Sequence, residues 1–293
     1  MNLELESISW SFAGRVIGAT FYQFFVLFGF LLLFGLLLYL FSRLTRNVFR
    51  NSGYQRLDIY FTGWIGTPVH ELGHAFFCLL FGHRITEMKL FGPNSEDGTL
   101  GYIRHSYNKK SIYQRIGLFF IGAGPIIFGS LVLYALLYVC LPVRPEISGI
   151  ISPVDFAETG IGHWMKLFGT VFTGGIHILS DIFSSANFSS VSFWIFVYVS
   201  FCISSHMQLS PPDLRSMFSG FLTIFLILLA VNLSTLLVGI NITDYFLKFS
   251  RVSGNFSGLF LLAVALSALN FLATYLLLAA LYYVHHRKVP SVL

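Results

Sequence analysis

The sequence predicts an α-helical, polytopic membrane protein: about six transmembrane helices and a small membrane-associated β-hairpin. Three observations carry that expectation. Of 293 residues, 55% are hydrophobic and 11% charged, against the roughly 25% charged residues of an ordinary soluble domain. Between Arg15 and Arg43, Arg115 and Arg144, Asp181 and His206, Arg215 and Asp244, and Arg251 and His285, no Asp, Glu, Lys, Arg or His occurs. Each block reaches the roughly 20 residues a bilayer-spanning helix needs. Finally, the polar residues gather between these blocks, most densely over "RITEMKLFGPNSEDGTLGYIRHSY".

Taken in order, helices are expected near 18–42, 59–82, 116–141, 188–209, 216–241 and 256–284. The first block is too long for the apolar core of a cleaved signal peptide, follows Glu4 and Glu6, and precedes no small-residue cleavage site, so it reads as a permanent anchor. The flanks "ITEMKLF" and "LGYIRHSY" around "GPNSEDG" are partly alternating and rich in β-branched and aromatic residues, which predicts a hairpin over 85–105. From Pro142 to about Asn187 the chain reads as irregular, with a re-entrant or surface helix in "LFGTVFTGGIHILSDIF". The net charge of +5 comes from basic residues in short loops between spans, where membrane proteins normally carry them, and argues against nucleic-acid binding. Cys78, Cys140 and Cys202 lie within apolar blocks and read as buried, inert thiols.

The second helix carries the chemistry. Its "HELGH" places His70 and His74 four residues apart, hence on one helical face, where both imidazoles reach a single zinc ion. Glu71 adjoins the first ligand and can act as general base on a metal-activated water. Ionisable groups at membrane depth are rare and mark function. A catalytic zinc takes a third protein ligand. Leu80 occupies the position where some soluble families place another histidine, and His83 falls on the opposite helical face. His105 belongs to the hairpin and His163 to a loop, while His177 and Asp181 read as the polar face of a surface helix. The segment "SSHMQLSPPDLRS" remains, with His206 and Asp213 on either side of Pro211-Pro212. Irregular backbone at membrane depth lines a cavity or is buried in protein, so the second half of a site is expected here.

"HELGH", then "AGP" (Ala123 to Pro125), then a proline-broken segment delivering an Asp, is an order that resembles the site-2 proteases, which are intramembrane zinc metalloproteases. The likeness covers roughly residues 59–216. It implies Asp213 as the third zinc ligand beside His70 and His74, Glu71 as the catalytic base, and His206, near the family's Asn, as an oxyanion stabiliser or alternative ligand. It also implies a hairpin that receives the substrate as an added strand. The sequence lacks the Asn that usually follows A-G-P, and it has Leu214-Arg215 where the family has Gly after the Asp.

The chain accordingly divides into an N-terminal anchor and basic loop (1–58), a metalloprotease core (59–216), and two C-terminal transmembrane helices with a basic tail (217–293). The expected activity is Zn2+-dependent hydrolysis of a peptide bond within or near the transmembrane helix of a membrane-protein substrate. The expected setting is the lipid bilayer of a cell or inner membrane. Three other readings compete: a prenyl-protein-type membrane zinc protease, an inactive zinc-binding homologue, and a metal-carrying transporter. The prenyl-protein type uses a downstream Glu on a span, and none is present. The intact Glu71 argues against the other two, since a pure ligand site does not need it.

Overall fold

A computed structural model describes residues 12–93, 99–147, 161–240, 242–243, 245–246, 257–287 and 290–291; of residues 161–164, 285 and 286 it describes the backbone alone. The chain is mostly helical. Helix α1 spans Phe12–Asn51 and α2 is the short turn Gln55–Leu57. A π-helical turn, Asp58–Gly63, leads into α3, Trp64–Leu80. Strands β1 (Arg84–Lys89) and β2 (Tyr102–Ser106) follow, then α4, Ile112–Cys140. The remaining helices are α5 (Ile161–Ile182), α6 (Ser185–Phe188), α7 (Val191–Ser205), α8 (Pro211–Leu237) and α9 (Ser257–His286).

By length and composition four helices, α1, α4, α8 and α9, can cross a membrane. Six were expected. The expected spans at 59–82 and 188–209 become α3 and α7, of 17 and 15 residues, short of the roughly 20 a span requires. The reason lies in their ends. A π-turn precedes α3, and α7 stops at Ser205, before the Pro211-Pro212 pair that opens α8. The re-entrant or surface helix expected within 142–187 falls on α5, where His177 and Asp181 are exposed.

Helix α4 is the hub, and small residues set how closely its neighbours approach. A Cβ on Gly73 of α3 would lie 2.8 Å from the Gly124 carbonyl oxygen, and one on Gly124 would lie 2.7 Å from that of Gly73. On its other side, a Cβ on Gly122 would sit 2.5 Å from the Asp213 carbonyl oxygen. Backbone therefore meets backbone at both seams, as small residues permit between helices in lipid. Helix α7 crosses α3 at Gly66, where a Cβ would lie 2.2 Å from the Cys202 carbonyl oxygen. "HELGH" and "AGP" are thus coupled physically: each supplies the glycine the other needs.

Polar clasps hold the outer helices. Gln23 of α1 and Asn232 of α8 exchange side-chain amide hydrogen bonds of 2.9 Å in both directions, and Asn232 also donates to Thr20. The end of α7 is pinned from two sides. Ser42 donates to the Ser204 carbonyl, and Asn270 of α9 donates to the Ser205 hydroxyl.

The predicted hairpin is present as an antiparallel pair. Its register runs from Arg84 opposite Ser106 to Lys89 opposite Tyr102, with an irregularity between Ile85 and Glu87. Of its expected turn, Gly92 to Gly98, residues 94–98 lie outside the described residues. Exposed Glu87 pairs with Arg104 at 2.9 Å and accepts from Tyr102. The hairpin base is locked to the end of α3 by two histidines. His83 Nε2–H donates to the Gln114 carbonyl at 2.8 Å, which leaves His83 Nδ1 to accept from His105 Nδ1–H at 3.0 Å.

Burial holds both rings below the ordinary imidazole value, and the neighbouring His83 lowers His105 further, to about 4. The folded state thus favours the neutral rings. Their contribution is complete above pH 6.5 and is lost as the pH falls toward 4. Hydrogen exchange over 84–89 and 102–106 is expected to be slow at pH 7 and to show a lower protection factor at pH 4.5. In His105→Leu, where His83 alone still titrates, that extra acid sensitivity should be reduced. An equal loss of protection in wild type and variant would remove the histidine lock from the explanation.

Candidate metal centre

Helix α3 presents His70 and His74 on the face turned toward α4 and the start of α8. Their Nε2 atoms are 3.2 Å apart. Asp213, in the first turn of α8, brings Oδ1 to 3.1 Å from His74 Nε2 and Oδ2 to 3.7 Å from His70 Nε2. All three donor groups lie within 4.8 Å of one another. Tetrahedral zinc with bonds of about 2.0–2.1 Å separates its ligands by roughly 3.3 Å, and the three observed separations bracket that value.

Hydrogen bonding fixes the tautomers. His70 Nδ1 lies 2.7 Å from the His206 carbonyl oxygen and His74 Nδ1 lies 2.8 Å from that of Ile121. A carbonyl only accepts, so each Nδ1 carries the hydrogen and each neutral ring turns an Nε2 lone pair inward. Two lone pairs 3.2 Å apart beside a carboxylate repel one another unless a metal cation, or a proton on His74 Nε2 shared with Asp213 Oδ1 at 3.1 Å, sits among them. This donor set suits zinc, and donation of the second ring N–H to a carbonyl is the usual outer support of a ligating histidine.

Both acceptor carbonyls are spare for identifiable reasons. Pro125, inside α4, has no N–H, so the carbonyl four residues earlier, Ile121, loses its helical partner. His206 is the C-cap of α7, where the last carbonyls of a helix have no intrahelical donor. Asp213 is oriented by a capping box. Ser210 caps α8, and its N–H and hydroxyl both donate to Asp213 Oδ2 at 2.7 Å. One carboxylate oxygen is held and the other faces His74.

Pro125→Ala tests this account. A restored N–H at position 125 competes for the Ile121 carbonyl, and losing an outer partner of a ligand typically costs about 10–100-fold in metal affinity. Titration against a chelator should show that loss, with thermal stability held or raised by the added helical hydrogen bond. Unchanged affinity would separate the proline from the site.

Glu71 is buried on α3 next to His70. The chain just before β2 lies directly over it: a Cβ on Gly101 would sit 2.8 Å from Glu71 Cγ and 2.9 Å from Thr67 Cγ2. The hairpin backbone therefore forms one wall beside the carboxylate. The Thr67 hydroxyl in the same wall is buried with no hydrogen-bond partner among the described residues.

His206 is placed differently from the other three residues. Its imidazole does not join the cluster. Nε2 lies 3.1 Å from the Thr62 hydroxyl, which donates to Asp58 at 2.8 Å, and the ring packs under Gly66. What His206 offers the site is its carbonyl. His83 and His105 pair with each other at the hairpin base, and the His163 side chain lies outside the described residues. Sequence reasoning also missed Ser210 and Ile121. The first was legible as Ser-Pro-Pro-Asp, a capping box with proline at the first helical position. The second was legible as the residue four before an in-helix proline.

Compared with known proteins, the chain matches no family model, no curated protein and no solved structure.

Proposed function

We propose that the protein is an intramembrane zinc metalloprotease of the site-2 protease type, acting on a peptide bond in or near the transmembrane helix of a membrane-protein substrate. The observation that carries this reading is the convergence of His70, His74 and Asp213 with their tautomers and carboxylate fixed, directly beside buried Glu71. Three protein ligands that leave a fourth position open are the mark of a catalytic rather than a structural zinc. Bound there, zinc supplies a Lewis acid and lowers the pKa of a coordinated water to about 7.

The chain's own residues do the rest. His70 and His74 would hold the ion through Nε2, and the Asp213 carboxylate would offset part of its charge in a medium that penalises net charge. Glu71 takes the proton from the attacking water and carries it to the leaving amine nitrogen. Gly101 and its neighbours flank Glu71, so a peptide added along the hairpin would lie beside the base. Strand addition also replaces the backbone hydrogen bonds that an unwound substrate helix loses in lipid. In this reading α3 and α7, packed against α4 and each other, are the other two of six membrane-embedded helices, as short elements that do not cross the bilayer by themselves.

The test is a proteomic comparison of membranes carrying wild type or Glu71→Gln. Membrane proteins whose cut fragments disappear with the variant are the expected substrates. Identical fragment patterns, with both proteins expressed equally, would overturn the proposal.

A further inference from the structure

A second site stands at the end of α1. Arg43 is the first charge after the 27 residues Val16–Ser42, which contain none. That stretch is about 40 Å of helix, more than the roughly 30 Å bilayer core. Arg43 therefore marks the headgroup layer, with Tyr39 one turn before it in the place of an interfacial aromatic. Arg43, Arg46 and Arg50 recur on one face of α1 and line a cavity of about 470 Å³. Its other wall is formed by Gln55, Asp58 and residues 208–211 of the α7–α8 connection.

The cavity is built for an anion. Three guanidiniums face a single carboxylate, Asp58, which already accepts from Thr62. Among the described residues, none of the three arginines has a carboxylate within 4.0 Å. Arg43 donates to the Tyr39 hydroxyl and Arg50 to the Asn47 side chain, each through one of five N–H groups. Arg46, half-buried in the wall, makes no hydrogen bond among the described residues. The charge of Asp58 reaches Arg46 without a hydrogen bond; a guanidinium withdrawn from water with no anion bonded to it is costly, and a phosphate matches its fork of donors.

We infer that this cavity binds a phosphate group carried by an anionic phospholipid headgroup. The occupant rests against Ser210, which holds Asp213 Oδ2, and beside Asp58, which is bonded to the Thr62 that meets the His206 ring. Lipid at this site thus buttresses the chain that presents Asp213 and the His206 carbonyl.

The test reads lipid directly and does not depend on metal or proteolysis. Full-length protein is placed in nanodiscs of phosphatidylcholine with or without phosphatidylglycerol, then released and weighed by native mass spectrometry. Wild type should retain about one phosphatidylglycerol per chain in preference to phosphatidylcholine. Arg46→Gln should weaken retention about ten- to a hundredfold, the scale of a lost charged hydrogen-bond pair. Arg144→Gln, outside the cavity, should retain the lipid. Should Arg46→Gln not fold, the wild-type preference decides alone, and equal retention of the two lipids overturns the inference. If millimolar inorganic phosphate stabilises the protein in phosphatidylcholine as well as phosphatidylglycerol does, the lipid source is overturned in favour of a soluble phosphate.

Discussion

Glu71→Gln is expected to keep zinc at wild-type stoichiometry while turnover falls by about 10²–10⁴, the usual contribution of a positioned general base. Glutamine preserves the shape of the buried side chain beneath Gly101, so the wall formed by Thr67, Glu71 and the hairpin stays intact. It removes only the ability to take and return a proton. None of the three close donor groups belongs to residue 71, which is why metal content should not move. Paired measurements of zinc content and of cleavage of a transmembrane substrate make the comparison. Full activity in the variant would remove Glu71 from the mechanism, and loss of zinc would make it a ligand instead.

Asp213→Asn is expected to have the opposite effect and to lose the metal. Ser210 still caps α8, and asparagine can still accept from the Ser210 N–H through its side-chain oxygen, so the helix should begin normally. It lacks the negative charge, and it presents an amide where the carboxylate oxygen stood 3.1 Å from His74 Nε2. Zinc affinity should fall by more than the roughly 10–100-fold typical of an outer partner, with activity following it down. His206→Ala provides the contrast. It deletes the ring under Gly66 but leaves the carbonyl that orients His70, so it should hold zinc far better than Asp213→Asn. If His206→Ala loses zinc while Asp213→Asn retains it, the third ligand has been misassigned.

The sequence was most informative where chemistry and lipid constrain local choices. A bilayer has no donors for exposed backbone, so long uncharged blocks announce α1, α4, α8 and α9. Spacing of four places His70 and His74 on one face whatever the tertiary structure. The hairpin was legible because its strands alternate and its turn is polar. Other features needed three dimensions. The uncharged run ends at Ser205, where α7 stops, yet the helix was expected to run on to 209. The direction of the His206 ring is set by Gly66 and Thr62, 140 and 144 residues away in sequence. Resemblance to a family's Asn position located this residue without showing that it is the carbonyl that faces the site. The Arg43–Arg50 cavity was hidden for a similar reason. Its far wall is the α7–α8 connection, brought there by the packing of α7 against α3 and α1.

The most direct test is calorimetric titration of zinc into metal-free, folded protein, with wild type and Asp213→Asn side by side. One zinc per chain, bound tightly by wild type and much more weakly by Asp213→Asn, is the predicted result. A folded wild-type chain that takes up no zinc, or an Asp213→Asn variant that binds it equally well, would contradict the account.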